Sequence, residues 1–359
     1  ELSTQNRFFH SQLEFIEVFL ERGGFDVIVG NPPWVKLRFE EKEILSEEMP
    51  ECIIRKLSAP KMREFQNEFL QNKELKHIYF KEFIELESMA SFSNSYQNYS
   101  KLKGQQTDLY KLILNNNFLL LNHQGYSGLL HPISVYDDAK GTEFRSLLYN
   151  RLIFLFHFRN ELKLFSETND KGRLNFSVNI FSGQSGQIEF DLISNLFHPK
   201  TIDGCFLPSS DGDLRIKVLD EKGKYVWNTS SNKLRRVKVT EDLLSSISIS
   251  QGGMKFPKIV FFQSETTKVI FDKISGISER VSNEIYYTTL GFDETNNVGE
   301  NRQLHDFNHD TQDVDINKLS FVYSGPHFKI LNPISQNPKK VYRSNNDYEF
   351  IDLQKVNED

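Results

Sequence analysis

The chain has 359 residues, of which 38% are hydrophobic and 13% aromatic, and this composition excludes a disordered or collagen-like protein. Its 43 Lys and Arg residues against 49 Asp and Glu residues give a net charge of −6, which excludes a wholly basic nucleic-acid coat protein but not a local basic groove. No run approaches the roughly 18 consecutive apolar residues of a membrane-spanning helix, and nothing at the N-terminus resembles a signal peptide. The two cysteines, Cys52 and Cys205, are too distant in sequence for a disulfide framework or a cysteine zinc site. We expect a cytoplasmic protein without membrane contact.

The first predicted strand ends abruptly. Residues 25–29 are mostly β-branched or aromatic and follow Gly23-Gly24, which predicts a short buried strand. The next residues are Gly30-Asn31-Pro32-Pro33-Trp34. Because proline has no N–H to donate, two consecutive prolines cannot continue a strand ladder. The chain is therefore predicted to leave the sheet here as a stiff loop.

A helical insertion is predicted after this loop, over about residues 36–105. Charged and apolar residues recur there at helical spacing, which is typical of two or three helices with a solvated face. The Ser- and Asn-rich residues 91–100 predict a loop. A helix from Asp108 to about Gly125 is then expected to lead into a strand over residues 129–135.

The later elements predict the fold class. A short helix is expected over residues 141–149, and strands over residues 152–158 and 175–181. The last two strands are joined too tightly for a helix, so we expect them to be antiparallel. The order strand, helices, strand, helix, strand, strand predicts an α/β fold that is the later half of a Rossmann-like sheet.

A second domain is predicted from residue 186 onward. The sequence changes there to short strands, turns and polar segments, which favours a mixed α+β or mainly β domain over residues 186–359. The first domain would then span residues 1–185. The short strands are expected over residues 187–192, 214–218, 237–239, 258–262 and 319–323.

The Asn-Pro-Pro loop carries the chemistry. It places an amide and two prolines at the carboxyl end of a buried strand, where open α/β sheets bind their ligands. This arrangement resembles the Asn-Pro-Pro-aromatic motif of DNA methyltransferases that transfer a methyl group from S-adenosylmethionine to an exocyclic base amine. The segment from residue 9 to 185 is similar, in motif order, to adenine methyltransferases of the type IIG restriction-modification and related phage-defence families. The resemblance implies a class I methyltransferase fold, S-adenosylmethionine as cofactor and double-stranded DNA as substrate.

The chemistry explains these residue types. The lone pair of an exocyclic amine is delocalised into the ring, so a catalyst must hold the amine where that pair is localised. The side-chain oxygen of Asn31 and the backbone oxygen of Pro32 can accept its two hydrogens, and Pro33 stiffens the loop. Trp34 offers a face on which a flipped-out base can stack. The alternative is an ordinary turn with a buried Trp.

Other positions match later motifs of the same family. Asp108-Leu109 begins a helix that borders the cofactor pocket in the family, and His131-Pro132-Ile133-Ser134 stands at the next strand's end. Asn175-Phe176 resembles the motif whose aromatic residue packs against the extruded base. In a chain with 31 Phe residues, the alternative for Phe176 is a place in the core.

Two basic clusters are candidates for DNA contact. The first lies in a segment without acidic residues between positions 321 and 346, where the family keeps its target-recognition domain, and comprises Lys329, Lys339, Lys340 and Arg343. The second comprises Lys233, Arg235 and Arg236. A solvated strand face explains either cluster about as well. His305 and His309 are spaced for one metal only on a helix, and their Asn- and Asp-rich surroundings predict a loop instead, so no metal site is assigned.

One family feature is missing. The Gly-rich loop that lets backbone N–H groups approach S-adenosylmethionine should precede the Asn-Pro-Pro motif, yet residues 1–24 contain no such pattern. We expect an upstream segment or a separate subunit to supply it. Two alternatives stay open. The chain is a non-catalytic DNA-binding or specificity module that retains a relic of the sheet, or it methylates RNA or a protein amide, as related loops do.

Overall fold

The computed structural model describes residues 9–48, 50, 54, 59–105, 108–165, 174–277, 302–303, 321–322 and 350–352. The chain divides into two compact units, Glu1–Ser278 and Glu279–Asp359. The larger unit combines helices with a mixed sheet, which confirms the predicted α/β class.

A six-stranded sheet organises the larger unit. Its strands are β1 Phe25–Gly30, β2 Leu121–Pro132, β3 Leu152–Arg159, β4 Asn175–Ser182, β5 Glu189–Leu196 and β8 Arg236–Thr240. Two further strands, β6 Lys217–Leu219 and β7 Tyr225–Trp227, form a separate hairpin. The order across the sheet is β1-β2-β4-β3-β5-β8. The strands β1 and β2 are parallel, as are β3 and β5, whereas β4 is antiparallel to both its neighbours, which confirms the predicted β3–β4 pairing. The carboxyl ends of β1, β2 and β3 therefore lie at one end of the sheet.

Helices connect these strands. Those of the larger unit are α1 Ser11–Glu14, α2 Ile16–Arg22, α3 Glu41–Glu48, α4 Ala59–Gln71, α5 Lys73–Ser93, α6 Tyr96–Tyr99, α7 Leu109–Leu120, α8 Ser134–Asp137, α9 Thr142–Tyr149, α10 Thr201–Cys205, α11 Glu241–Ser250 and α12 Glu265–Ser275. Short 3₁₀ turns follow α6 and β3, and a third directly precedes β8. None of the described helices is long and apolar enough to cross a membrane.

The helical insertion between β1 and β2 is confirmed, but its predicted loop at residues 91–100 is wrong. Helix α5 runs to Ser93, and α6 follows almost at once. The polar side chains do not break the helix because they bond to carbonyls of the preceding turn, with Ser93 Oγ donating to Met89 and Asn94 Nδ2 to Ala90. The insertion has its own apolar core, formed by Leu45, Met62, Phe69 and Tyr79.

The junction between α7 and β2 also differs from the prediction. The helix ends at Leu120 and the strand begins at Leu121, so Gly125 and Gly128 lie inside the strand rather than before it. A Cβ at Gly125 would lie 2.7 Å from the carbonyl oxygen of Phe25. Gly125 therefore marks the close approach of the β1 backbone and not the end of a helix.

The boundary predicted at residues 185–186 lies inside the larger unit and is corrected. Strand β5 pairs with β3, and β8 pairs with β5, so the sheet continues well beyond residue 186. Nearly all of β5 is buried. The strand predicted over residues 258–262 is absent. This segment instead covers the core with Ile259 and Phe262.

The described part of the smaller unit consists of three short strands, β9 Arg302–Gln303, β10 Phe321–Val322 and β11 Phe350–Asp352. Strand β11 is antiparallel to the other two. The predicted cluster of Lys329, Lys339, Lys340 and Arg343 lies outside the described residues, as do His305 and His309.

Candidate active site

The Asn-Pro-Pro loop begins where β1 ends. Gly30 is the last strand residue and pairs with Leu129 of β2. Asn31 is exposed and Pro32 is buried. Among the described residues, nothing hydrogen-bonds to the Asn31 side chain or to the Pro32 carbonyl. Both oxygens thus lack a described protein partner at the carboxyl end of the strand.

The far side of the loop is fixed to helix α7. The N–H of Leu109 donates to the carbonyl of Val35 across 2.8 Å, and Lys36 forms an antiparallel bridge with Asp108. Leu37 then enters the core with 7% exposure. The structure therefore places Asp108 and Leu109 against the candidate catalytic loop, while their contact with a cofactor stays a prediction.

A buried cation lies beside these residues. Lys111 is 2% exposed, and its Nζ lies 3.0 Å from Asp138 Oδ2 and 3.6 Å from Asp108 Oδ2. Burial raises the pKa of Asp108, an effect that Lys111 partly offsets. For Asp138, burial is the largest influence and raises the pKa, but the hydrogen bonds from Lys111 and from the Lys140 backbone, with the nearby positive charges, together outweigh it and lower the pKa. Together with Gly104, Ser134 and neighbours of Asp138, these groups line a pocket of about 490 Å³.

Trp34 packs into the protein. Its ring contacts Phe165 edge-on at 5.7 Å and lies 6.2 Å from Phe176. Trp34 packs against two apolar clusters of the larger unit, one that contains Leu129 and one that contains Phe158, yet its Nε1 is buried without a hydrogen-bond partner among the described residues. The indole is therefore held in place by packing, and its predicted stacking on a base stays a prediction.

Phe176 lies in the core. It is 3% exposed, stacks on Phe158 at 5.1 Å and meets Phe165 edge-on at 5.0 Å. A base can reach the ring of Phe176 only if these neighbours separate. The structure thus shows Phe176 in the core, which was the alternative to the predicted stacking role. Its stacking on a base stays a prediction.

A buried polar network, which sequence reasoning missed, supports the end of β2. His131 is fully buried, its Nε2 lies 2.8 Å from Asn179 Nδ2, and its Nδ1 lies 2.9 Å from the Pro132 carbonyl. This pattern fits a neutral imidazole that donates from Nδ1. Burial lowers the pKa of His131 to about 4. Tyr136 completes the network by donating to Asn179 Oδ1 across 2.8 Å.

The network extends to helix α7. Tyr110 stacks on His131 at 5.6 Å with an interplanar angle of 15°, and its hydroxyl lies 2.6 Å from Ser134 Oγ. The signal in the sequence was the alternation of polar and apolar residues in β4. Ser177 and Asn179 follow this pattern.

The second basic cluster needs a correction. Arg235 is fully buried, so it is not available to a phosphate. Its guanidinium donates to the carbonyls of Ser194, Asn195 and Ser230. Lys233 donates to the Pro208 carbonyl across 2.9 Å, and Arg236 Nε lies 3.2 Å from Asp191. The cluster is thus largely occupied by internal contacts.

Within the described part of the chain, no group of three or more His, Cys, Asp or Glu residues could hold a metal ion.

Residues 1–56 match the family model of the Eco57I restriction-modification methylase. The matched segment contains β1 and the Asn31 to Trp34 loop, so the resemblance to restriction-modification methyltransferases is confirmed there. No curated protein matches the chain.

Three solved structures illustrate the similarity. A type I methyltransferase subunit from Streptococcus thermophilus is 11% identical over 67% of this chain and 39% of its own, with a TM-score of 0.32. The type IIG restriction endonuclease BpuSI is 14% identical over 65% of this chain and 20% of its own, with a TM-score of 0.30. The type ISP restriction-modification enzyme LlaBIII, solved bound to DNA, is 11% identical over 48% of this chain and 10% of its own, with a TM-score of 0.26. The chain thus spans less than half the length of each structure.

Proposed function

We propose that this chain carries the catalytic loop of a DNA methyltransferase that methylates the exocyclic amine of adenine, within a restriction-modification or phage-defence system. The observation that carries the proposal is the pair of unpartnered oxygens, on Asn31 and Pro32, at the carboxyl end of β1. The family match over residues 1–56 supports the same activity.

The loop would act by positioning. Asn31 Oδ1 and the Pro32 carbonyl accept the two hydrogens of the flipped-out adenine amine and so orient its lone pair. The prolines and the bond between Leu109 and Val35 keep these oxygens in place. Bound S-adenosylmethionine supplies a methyl group made electrophilic by its sulfonium charge. Neither oxygen has to be a strong base.

The described residues fit one side of a cofactor site. Asp108 and Leu109 lie against the catalytic loop, next to the pocket that contains Lys111. A Gly-rich loop at a strand end is not found among the described residues. We infer that another segment or a separate subunit supplies the rest of the site.

The open edge of the sheet supports this inference. Strand β1 pairs only with β2 within the described sheet, and its Val27 and Val29 are 66% and 79% exposed. Tyr126, the partner of Val27 in the register, is 54% exposed. An apolar strand edge of this kind needs a cover.

The test is transfer of labelled methyl from S-adenosylmethionine to unmethylated double-stranded DNA by the complete gene product. Label on adenine that is lost with Asn31→Ala supports the proposal. The matched control is Asn67→Ala, since Asn67 is exposed on helix α4 and distant in sequence from the loop. Folding should be unaffected by either change, because neither side chain has a described partner.

The other outcomes have definite meanings. Absence of label on varied DNA, with tight DNA binding retained, overturns the proposed methyltransferase activity and favours a non-catalytic specificity module. That alternative has its own support, because the described residues lack the Gly-rich loop. Label on RNA or on a protein amide instead of DNA would overturn the substrate but keep the chemistry of the loop.

A further inference from the structure

The hairpin of β6 and β7 presents an aromatic and basic face. Its antiparallel register pairs Lys217 with Trp227 and Leu219 with Tyr225, which puts these four side chains on one side. We call them the hairpin face. Leu219 and Tyr225 are 55% and 66% exposed. An exposed pair of this size on a two-stranded hairpin is not needed for the core.

The lysine side chains of the hairpin have no ion-pair partner among the described residues. No described carboxylate forms an ion pair with Lys217, Lys222 or Lys224. Asp220, which lies between them, accepts the backbone N–H groups of Lys222 and Lys224 across 3.0 and 2.8 Å and so serves to shape the turn. Asp220 and Glu221 offset two of the three lysine charges, so the hairpin carries a net charge of +1, while its three ammonium groups stay free of ion pairs with described residues.

The hairpin is anchored to the buried core through Trp227. Trp227 stacks on the buried Phe197 at 4.7 Å with an interplanar angle of 27°. The Nζ of Lys217 lies 4.1 Å from the centroid of Trp227, and the Arg159 guanidinium lies 5.9 Å from it. These cation–π contacts hold positive charge over the aromatic face.

Arg159 also connects the hairpin to the candidate active site. It is the last residue of β3, whose carboxyl end shares one end of the sheet with that of β1. The preceding residue, Phe158, stacks on Phe176, which in turn contacts Trp34. A continuous path of contacts thus runs from the catalytic loop to the hairpin.

We propose that the hairpin, through the hairpin face and the lysines of its turn, binds the DNA backbone next to the nucleotide that enters the candidate active site. Lys217, Lys222 and Lys224 pair with phosphates, and Tyr225 packs on a neighbouring sugar or unstacked base. Charge complementarity selects this partner, because three lysines without described ion-pair partners share one short hairpin with the exposed ring of Tyr225. None of these residues belongs to the basic clusters predicted from the sequence. The inference rests on DNA as the substrate of the proposed function.

The test measures DNA binding by the complete gene product with Lys217, Lys222 and Lys224 changed to Gln. Fluorescence anisotropy with an unmethylated duplex, over a range of salt concentrations, gives the Kd and its salt dependence. We expect the Kd at 0.15 M salt to rise at least tenfold. The slope of log K against log salt should fall in magnitude by about 2 to 3, because each lost phosphate contact removes roughly 0.9.

The matched control removes three exposed lysines of the helical insertion, Lys61, Lys73 and Lys81, by the same substitution. It changes the net charge equally and should leave the slope nearly unchanged. Tyr225→Ala is a second, uncharged test, expected to raise the Kd several-fold with the slope unaltered. It also keeps the proposal testable if the triple variant does not fold.

Failure of this proposal differs from failure of the proposed function. If the parent methylates adenine and the hairpin variants keep the parental Kd and slope, the hairpin proposal is overturned and the enzyme stands. If the unaltered protein methylates nothing but the hairpin variants lose DNA binding as described, the hairpin proposal stands and the proposed enzymatic function is overturned. A change in self-association by sedimentation, without a change in DNA binding, would make the face an interface between copies and overturn the proposal.

Discussion

The backbone N–H of Leu109 donates to the carbonyl oxygen of Val35 across 2.8 Å, and this bond joins the first residue of α7 to the catalytic loop. Leu109→Pro removes the donor without breaking the helix, because proline is tolerated at the first helical position. The preceding Asp108 already has the extended backbone, φ −109° and ψ 133°, that a following proline requires. We expect a methylation rate about tenfold below that of Leu109→Ala, which keeps the N–H and loses similar packing. Equal rates for the two variants would show that this bond does not position the loop.

Lys111→Met should destabilise the larger unit strongly. It leaves Asp108 and Asp138 without their buried counter-ion, and breaking a buried pair in this way costs about 3–5 kcal/mol. Lys101→Met is the matched control, because Lys101 pairs with Glu143 at 2.8 Å on the surface, with side-chain exposures of 43% and 65%. An exposed pair contributes less than about 1 kcal/mol. Urea unfolding of both variants measures the contrast, and a similar small loss in each would refute it.

Gly125→Ala tests the close approach of β1 and β2. The new methyl group would meet the carbonyl oxygens of Phe25 and Asp26 at 2.7 and 2.9 Å, so the strands must separate. We expect a loss of about 2 kcal/mol from this overpacking, together with reduced methylation, because β1 carries the catalytic loop. The control is Gly186→Ala, where nothing lies within 4 Å of the new carbon. Unchanged thermal stability of Gly125→Ala would contradict the tight pairing.

His131 should make the protein sensitive to acid. Its pKa is about 4 in the folded protein because of burial, against about 6.5 when unfolded. Below pH 6.5 the unfolded state therefore binds a proton that the folded state does not, and stability falls as the pH drops towards 4. We expect His131 to contribute a slope of about 1 kcal/mol per pH unit between pH 6 and 5.

The measurement compares unfolding free energies across this pH range. His131→Gln should be less stable at pH 7 but show a shallower pH dependence, whereas His77→Gln, at an exposed helix position, should match the parent. Identical pH slopes for His131→Gln and the parent would exclude His131 as the group responsible.

The sequence was most informative where local chemistry dictates structure. The β-branched run of β1 and the two prolines after it predict a strand, its end and the loop at Asn31, because these constraints act on neighbouring residues. The predicted burial of this strand is wrong within the described residues, since Val27 and Val29 are exposed. The insertion and the antiparallel β3 and β4 follow from periodicity and connection length in the same way.

What the sequence could not show depends on contacts between distant residues. Arg235 looks like part of an exposed basic run, yet the carbonyls that surround it come from β5 and from a loop before β8. The pairing of His131 with Asn179 needs the register of β2 and β4, which single-strand patterns do not contain. Likewise, the sequence of β5 gives no local sign that this strand joins the same sheet as β3.

The bridge between Lys36 and Asp108 brings the two ends of the helical insertion together, and the insertion packs around its own apolar cluster. The insertion is therefore a cassette with a core of its own, joined to the rest of the larger unit near its two ends, where Leu102 also enters the main core and Lys101 pairs with Glu143. Because doubling the length of such a loop costs only about 0.6 kcal/mol of closure entropy, its size and surface can diverge while the catalytic loop keeps its geometry. Exchange of this cassette would be a route to alter what the protein touches without rebuilding its chemistry.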